Sequence, residues 1–146
     1  MQLDETDWHI LQILQQEGRL SFSELGRRVG LSSPAATERV RKLEDAGVIT
    51  GYCARVNAEV LGLPLRAFIQ LTTTPDRYPE AIATMEALPE ILRGYHVTGN
   101  SSFVIEAIAS SMSHLEEILN RLSQYGPTST SIVLSNPVFK NSIVAK

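Results

Sequence analysis

Two short helices joined by a tight turn constrain this chain most, because local signals fix where each helix begins and ends. In RLSFSELGRRVGLSSPAATERVRKLEDAG, Ser21 is an N-cap residue and Glu24 follows at the capping-box position. Gly30 ends the first helix because glycine adopts the left-handed conformation at low cost. Ser33 is a good N-cap, and Pro34 falls at the first helical position, where its missing N–H is not needed. The stretch therefore predicts a helix-turn-helix.

The second helix, which is predicted to start at Pro34, has a small apolar face and a charged face. Ala36, Val40 and Leu43 recur at i, i+4 and i+7, so they share the face that packs inward. Residues 19–42 include six basic and two acidic side chains, a local balance of +4 in a chain of formal net charge −3. This pattern indicates a nucleic-acid interface. The alternative is a helical hairpin with solvated arginines, because charged outer faces are common.

Composition is ordinary for a globular protein, with 43% apolar and 20% charged residues. The 146 residues could form one domain or two small ones, and we favour two. No run of about 18 apolar residues occurs and the N-terminus is acidic, which favours a cytoplasmic protein without a membrane segment. Cys53, the only cysteine, excludes an internal disulfide and a cysteine-based zinc site, and its apolar neighbours predict a packed side chain.

The segments on either side extend this helical pair. Asp4 can cap a preceding helix that runs to about Gln16, giving a three-helix unit. Residues 48–57 predict two short strands that turn near Gly51, the layout of a winged helix-turn-helix, or else a single linker strand. The glycine and proline of NAEVLGLP then mark a domain boundary. We therefore divide the chain into a helical domain, 1–60, and a second domain, 61–146.

The second domain alternates strands and helices in the order βαββαβ. This is the ferredoxin-like arrangement, with an antiparallel sheet and both helices on one side. Glu106 alternates out of phase with its apolar neighbours, which predicts that it lies on the solvent or interface face. The open face and edges of such a sheet predict pairing with another subunit. The predicted strands are 66–73, 91–98, 103–109 and 128–135, and the predicted helices are 79–87 and 113–125.

Patterns for catalysis and metal binding are missing from the sequence. It has no G-x-S-x-G, no P-loop and no G-x-G-x-x-G after a strand. His9, His96 and His114 fall on three separate elements without HxxxH or HExxH spacing. We expect no enzymatic activity, no metal and no cofactor.

The N-terminal helix, GLSSP, a helix ending in RVRKLEDAGVI, a GY strand and the βαββαβ module follow one another in this order. Together they resemble a bacterial or archaeal regulator of the Lrp/AsnC family, and the resemblance covers essentially the whole chain. It implies an α+β fold: a winged helix-turn-helix joined to an amino-acid-sensing, ferredoxin-like domain of the RAM or ACT type. It also implies binding to double-stranded DNA, homodimers that assemble into octamers or similar discs, and no enzymatic activity.

The resemblance makes residues 33–46 the recognition helix. An arginine there can read guanine bidentately in the major groove, whereas a lysine acts as a point charge on the backbone. For Arg39 the alternative is a salt bridge to Glu44 or to neighbours of Glu38. The residues predicted to face DNA are Ser33, Thr37, Arg39, Arg41 and Lys42, with Arg27 and Arg28 near phosphates.

The resemblance also implies an effector site between subunits, formed by the turn after the second strand of the sensing domain and by a Thr-x-Thr. Glycine lets backbone amides approach a ligand carboxylate, and threonine hydroxyls bind its polar groups. The chain departs from the family pattern G-x-x-D at Ser102, where a hydroxyl replaces the carboxylate that can pair with an ammonium. An ordinary hairpin turn is the alternative. The predicted effector residues are Gly99, Asn100, Ser101, Ser102, Thr128 and Thr130.

Several functions therefore stay open. The first is a DNA-binding regulator that senses an amino acid or a related molecule, and a variant of it is an architectural regulator without an effector. Another is a metabolite-binding module whose helical domain contacts proteins, which predicts no salt-dependent DNA affinity. A small ferredoxin-like enzyme would need a polar cluster that the sequence does not show.

Overall fold

The computed structural model describes residues 2–140 and 142–144. Backbone contacts divide the chain into two compact units: Met1–Arg55 with Val138–Lys146, and Val56–Pro137. The tail, expected in the second domain from the sequence, belongs to the first unit in this division. Within the described ranges, no helix is both long and apolar enough to cross a bilayer.

The first helix, α1 (Glu5–Gln16), begins at a complete capping box. The Asp7 N–H donates to Asp4 Oδ1 at 2.8 Å, and the Asp4 N–H donates to Asp7 Oδ2 at 3.1 Å. Each carboxylate thus satisfies a backbone donor that the start of a helix leaves unpaired. The predicted cap and the predicted end of this helix are confirmed.

The second helix, α2 (Phe22–Val29), runs between the predicted signals. The Ser21 hydroxyl accepts a hydrogen bond from the Glu24 N–H at 3.2 Å, and Gly30 adopts a left-handed φ of 72°. The Glu24 carboxylate binds the two arginines of the same helix instead of closing the predicted capping box.

The third helix, α3 (Ser33–Asp45), begins one residue earlier than predicted. Its N-cap is Ser32, whose hydroxyl accepts from the Ala35 N–H at 3.3 Å, so Ser33 is already helical. Pro34 remains in the first turn, where no backbone donor is required. The predicted inner face is confirmed, because Ala36, Val40 and Leu43 are all buried.

The core of the first unit joins all three helices. At Gly26, a Cβ would lie 2.6 Å from the carbonyl oxygen of Leu31, so glycine lets the turn between α2 and α3 pass close to α2. The buried apolar side chains of this core are Ile10, Leu11, Leu25, Val40 and Leu43.

After α3 the chain turns back instead of forming the predicted hairpin. Gly47 has a φ of 68°, and the Val48 N–H donates to the carbonyl oxygen of Leu43 at 2.9 Å. This is a Schellman C-cap, and it uses the first residue of the predicted strand to end a helix. No strand forms over residues 48–57, all of which the structure describes, so the hairpin prediction is wrong. Cys53 is exposed rather than packed, so that prediction is wrong as well.

The second unit is the predicted four-stranded antiparallel sheet covered by two helices on one face. The strands lie in the order β2-β3-β1-β4. Buried side chains from both helices and from alternate strand positions form one core. The elements are β1 (Leu65–Leu71), α4 (Tyr78–Ala87), β2 (Ile91–His96), β3 (Phe103–Ala109), α5 (Met112–Leu122) and β4 (Thr128–Ile132).

Strand register assigns the two predicted threonines to a face of this sheet. Ile69 and Leu71 of β1 are fully buried in the core that the helices cover. Ile69 pairs with Thr130, and Leu71 pairs with Thr128. Because paired residues of antiparallel strands share a face, both threonines lie on the side of the helices.

Glu106 lies on the other face of the sheet, opposite Phe68 of β1. Its side chain is buried because two arginines cover it. Arg66 Nη1 is 3.4 Å from Glu106 Oε1, and Arg93 Nη1 is 2.9 Å from Glu106 Oε2. The predicted face is confirmed, but the carboxylate is paired with cations rather than solvated.

Candidate nucleic-acid interface and ligand-binding loop

The outward face of α3 presents two cations that are only weakly held. The side chains of Arg41 and Lys42 are 74% and 66% exposed. Arg41 Nε is 3.9 Å from Asp45 Oδ2, and Lys42 Nζ is 3.8 Å from Glu38 Oε1. Exposed pairs four residues apart on a helix are worth only about 0.3–0.5 kcal/mol. Both cations can therefore turn to an external anion at little cost.

The first two turns of α3 carry the predicted hydroxyl groups. Ser33 and Thr37 are both exposed. The Thr37 hydroxyl donates to the carbonyl oxygen of Ser33 at 2.8 Å, which leaves its lone pairs free to accept. Their position at the N-terminal end of the helix also favours an anion, because backbone N–H groups and the helix dipole point outward there.

Arg39 is directed toward α1 instead of outward. Its Nη1 donates to Asp4 Oδ2 at 2.7 Å and to Asp7 Oδ1 at 2.8 Å, and its side chain is only 34% exposed. These hydrogen bonds raise the pKa of Arg39, while the Asp7 N–H and then Arg39 lower the pKa of Asp4. The sequence pointed to Glu44 or to neighbours of Glu38 as the ion-pair partner, whereas the partners are the two capping residues of α1. A DNA contact by Arg39 stays a prediction.

Arg27 and Arg28 belong to a surface network at the end of α2. Arg27 Nη2 is 2.6 Å from Glu24 Oε1, and Arg28 Nη1 is 2.6 Å from Glu17 Oε1. Hydrogen bonds from Arg27 and then from Arg28 lower the pKa of Glu24 to about 2. The Arg27 side chain remains 73% exposed, so it is the more accessible of the two for a phosphate.

In the second unit, Ser102 fastens the predicted effector loop to the end of β1. Its hydroxyl donates to the Thr73 carbonyl oxygen at 2.9 Å and accepts from the Thr73 N–H at 3.0 Å. The Ser102 N–H donates to Leu71 O at 2.9 Å, and the residue is buried. The Ser102 hydroxyl is thus engaged inside the protein, in contrast to the exposed Gly99 and Asn100.

Thr72 connects the two segments of the predicted effector site. Its N–H donates to the Pro127 carbonyl oxygen at 3.0 Å, and its hydroxyl donates to the Asn100 carbonyl oxygen at 3.2 Å. A Cβ at Gly126 would collide with the carbonyl oxygen of Thr72, so glycine is required just before β4. The sequence reasoning did not single out Thr72 or Thr73. The run of three threonines that follows β1 is the signal that could have found them.

The remaining effector candidates surround this junction. Gly99 has a φ of 109° with open space around it, so backbone amides there are accessible to a ligand. Thr128 is half-buried and pairs with Leu71, the residue before Thr72. Thr130 lies two residues further along β4. Ser101 Oγ is 3.4 Å from Gln70 Oε1, on the sheet face away from the helices. The structure thus groups the loop with Thr128 more closely than with Thr130.

Comparison with known proteins assigns a family model to each half of the chain. Residues 3–50 match a model described as "Winged helix-turn-helix DNA-binding". Residues 66–143 match a model described as "Lrp/AsnC ligand binding domain".

Individual relatives are similar to this chain over almost its full length. The uncharacterized HTH-type transcriptional regulator YezC of Bacillus subtilis is 42% identical over 92% of this chain and 95% of its own length. The solved structure of B. subtilis LrpC aligns with a TM-score of 0.91 and 34% identity, covering 96% of this chain and 100% of LrpC. The transcriptional regulator NMB0573 of Neisseria meningitidis, solved in complex with L-Met, aligns with a TM-score of 0.90 and 32% identity, covering 97% and 96%.

Proposed function

Because the chain belongs to the Lrp/AsnC family of transcriptional regulators, we propose that it binds duplex DNA with the exposed face of α3 and that a small molecule near the β2–β3 loop alters this binding. As a member of this family it is a DNA-binding transcriptional regulator. Its characterised relatives are named as regulators, so we expect a role without catalysis or cofactor, carried out in the cytoplasm, where the DNA is.

The observation that carries the DNA proposal is the pair of exposed cations, Arg41 and Lys42, on the second helix of a helix-turn-helix. Such a helix enters the major groove, where an arginine can donate two hydrogen bonds to guanine. Ser33 and Thr37 then lie near the groove, and Lys42 and Arg27 lie near phosphates. This assignment predicts which substitution changes specificity and which changes only the electrostatic affinity.

A titration tests this assignment. Fluorescence anisotropy with DNA from upstream of its own gene should show tight, salt-dependent binding. Arg41→Ala should weaken it by about 1–3 kcal/mol and relax specificity at one base position. Arg121→Ala, which removes an exposed arginine from α5 in the second unit, is the matched control and should bind as wild type does. No salt-dependent affinity in the wild type would favour a metabolite-binding module that contacts proteins.

The ligand that we propose is an amino acid or a related small molecule. A ligand-binding family model covers residues 66–143, and one structural relative was solved with L-Met. Backbone amides near Gly99 and the hydroxyls of Thr128 and Thr130 suit a carboxylate. Position 102 offers no carboxylate for the ammonium group, and the Ser102 hydroxyl already binds Thr73. We therefore expect that carboxylate contacts dominate ligand selection.

The engaged Ser102 hydroxyl also favours a second candidate, an architectural regulator without an effector. A thermal-shift screen over the amino acids, beginning with L-Met, separates the two. A bound ligand at 100 times its Kd stabilises by about 2.7 kcal/mol, so the melting temperature should rise with concentration. Thr128→Val keeps the side-chain shape, loses the hydroxyl, and should reduce that rise. No shift with any amino acid would support the architectural role.

We further propose that the chain forms homodimers, which assemble into octamers or similar discs. The sheet face away from the helices exposes large apolar side chains, with Phe68 39% and Tyr95 49% exposed. Exposed apolar patches beside open strand edges favour association with another copy. Several copies of α3 would then be presented to one duplex.

A further inference from the structure

Arg39 differs from the other basic residues of α3 in the position of its charged group. The Arg41 and Lys42 side chains are 74% and 66% exposed, whereas that of Arg39 is 34% exposed. The two exposed cations have ion partners only at 3.8–3.9 Å on their own helix. Arg39 instead reaches another helix at 2.7 and 2.8 Å.

The Arg39 guanidinium binds both carboxylates of the capping box of α1. Each of the carboxylates of Asp4 and Asp7 uses one oxygen for the backbone of α1 and the other for Arg39. The Asp7 side chain is only 9% exposed, so without Arg39 its charge would be nearly excluded from water and unpaired. The start of α1 and the middle of α3 therefore hold each other through one closed set of hydrogen bonds.

This ion pair links α3 to α1 at a point outside the apolar core. Apolar contacts of Val40 and Leu43 attach α3 to the core, but hydrophobic contact is non-directional and permits small rotations. Charged hydrogen bonds are short and directional, so they restrict rotation. Successive residues of a helix are separated by about 100°, which places Arg41 about 160° around the axis from Arg39. Fixing Arg39 against α1 thus fixes the side of α3 from which the Arg41 side chain projects.

We propose that Arg39 is a positioning residue of the DNA interface, which sets the angle of α3 through Asp4 and Asp7 and makes no contact with DNA itself. This inference rests on the proposed use of α3 to bind DNA. Its consequence is that an acidic residue of α1, Asp7, supports binding to a polyanion.

The test compares Arg39→Met and Asp7→Asn in the full-length protein by anisotropy over a series of KCl concentrations. The probes are the duplex from upstream of its own gene and an unrelated duplex. Each variant should weaken binding to the upstream duplex about 3- to 30-fold, change affinity for the unrelated duplex less than about twofold, and keep the salt slope. Arg41→Ala is the contrast, because loss of a phosphate or base contact should reduce the slope by about 1.

Asp7→Asn separates positioning from simple electrostatics. Removal of a negative charge should tighten binding to DNA if charge alone matters, but should weaken it if the ion pair orients α3. This variant also decides the question if Arg39→Met does not fold. Circular dichroism and Trp8 fluorescence establish that each protein is folded at the assay temperature.

Two results would overturn the inference. One is a salt slope reduced by about 1 in Arg39→Met, which would make Arg39 a direct phosphate contact. The other is wild-type or tighter affinity for the upstream duplex in a folded Asp7→Asn protein, which would mean that the ion pair does not orient α3 for binding. If the wild type binds neither duplex, the proposed DNA interface fails first, so the two failures are distinguishable.

Discussion

Replacement of Gly26 by alanine should destabilise the first unit, although alanine favours helices more than glycine does. Gly26 lies inside α2, and the absence of a side chain there leaves room for the turn that leads to α3. A Cβ would lie 2.6 Å from Leu31 O and 3.2 Å from Ser32 O. Ordinary van der Waals contact begins at 3.4 Å, so the turn backbone would have to retreat by about 0.8 Å.

The magnitude follows from two opposing effects. Alanine gains about 1 kcal/mol over glycine in a helix interior. Overpacking of a rigid site costs about 1–3 kcal/mol. The Leu31 N–H also donates to Gly26 O at 2.8 Å, so a turn that moves away weakens a hydrogen bond worth about 1 kcal/mol. The clash outweighs the gain, and we expect a net loss of about 1–3 kcal/mol, or a melting temperature lower by about 5–15 °C.

Urea unfolding followed by tryptophan fluorescence measures this effect. Trp8 is the only tryptophan and packs against the core of the first unit, so its signal reports that unit. Gly18→Ala is the matched control, because a Cβ there would meet its nearest neighbours at 3.5 and 3.6 Å, which are ordinary contacts. It should change stability by less than about 0.5 kcal/mol. A Gly26→Ala protein with a urea midpoint at or above that of the wild type would refute the reasoning.

Three further predictions concern pH, the tail and assembly. The Glu24 pKa of about 2 lies below the usual 4.5, so its ion pairs stabilise the fold above about pH 4.5 and are lost as pH falls toward 2. Unfolding of Glu24→Gln should therefore depend less on pH in that window than unfolding of the wild type. The Gln15 carboxamide binds the N–H and carbonyl of Ile143 at 2.7 and 3.0 Å, so Gln15→Ala should speed tryptic cleavage after Lys140, measured by mass spectrometry. Phe68→Lys should convert oligomers to smaller species in light scattering and weaken DNA binding more than about tenfold.

Local signals predicted the helical unit well because caps act over three or four residues. Each of these signals depends on near neighbours in the sequence: the cap at Ser21, the helix end at Gly30, and the helical spacing of the inward residues Ala36, Val40 and Leu43. The choice between Ser32 and Ser33 as a cap could not be made in the same way. Both serines precede Pro34 at distances that the rules allow, and the hydrogen bond from the Ala35 N–H to the Ser32 hydroxyl identifies the earlier one as the cap.

The hairpin over residues 48–57 failed because a strand needs a partner as well as a suitable sequence. Its first residues form the Schellman cap of α3. The described residues of the first unit contain no strand with which the rest of this segment could pair. In the second unit the same kind of pattern succeeded, since four strand segments could pair with one another.

The partners of Arg39 and Ser102 were beyond local reasoning. Arg39 binds acids 32 and 35 residues earlier in the chain, and Ser102 binds Thr73 from 29 residues away. Helix periodicity places Arg39 beside the inward-facing Val40, a position that is compatible with a contact to DNA or to a neighbouring helix. Only the packing of α1 against α3 distinguishes the two.

The charge balance of α3 indicates why the proposed assembly would favour DNA binding. The helix SPAATERVRKLED carries three basic and three acidic residues, and one of the basic residues is occupied by α1. A single copy therefore attracts a duplex weakly, and the formal net charge of −3 adds no help beyond the screening length of about 8 Å. Linked copies change this, because each additional helix binds at a high effective concentration once the first is bound. Several recognition helices held at fixed spacing would therefore strengthen binding by this acidic chain, and the sheet face that carries Phe68 is the surface that we propose for the assembly.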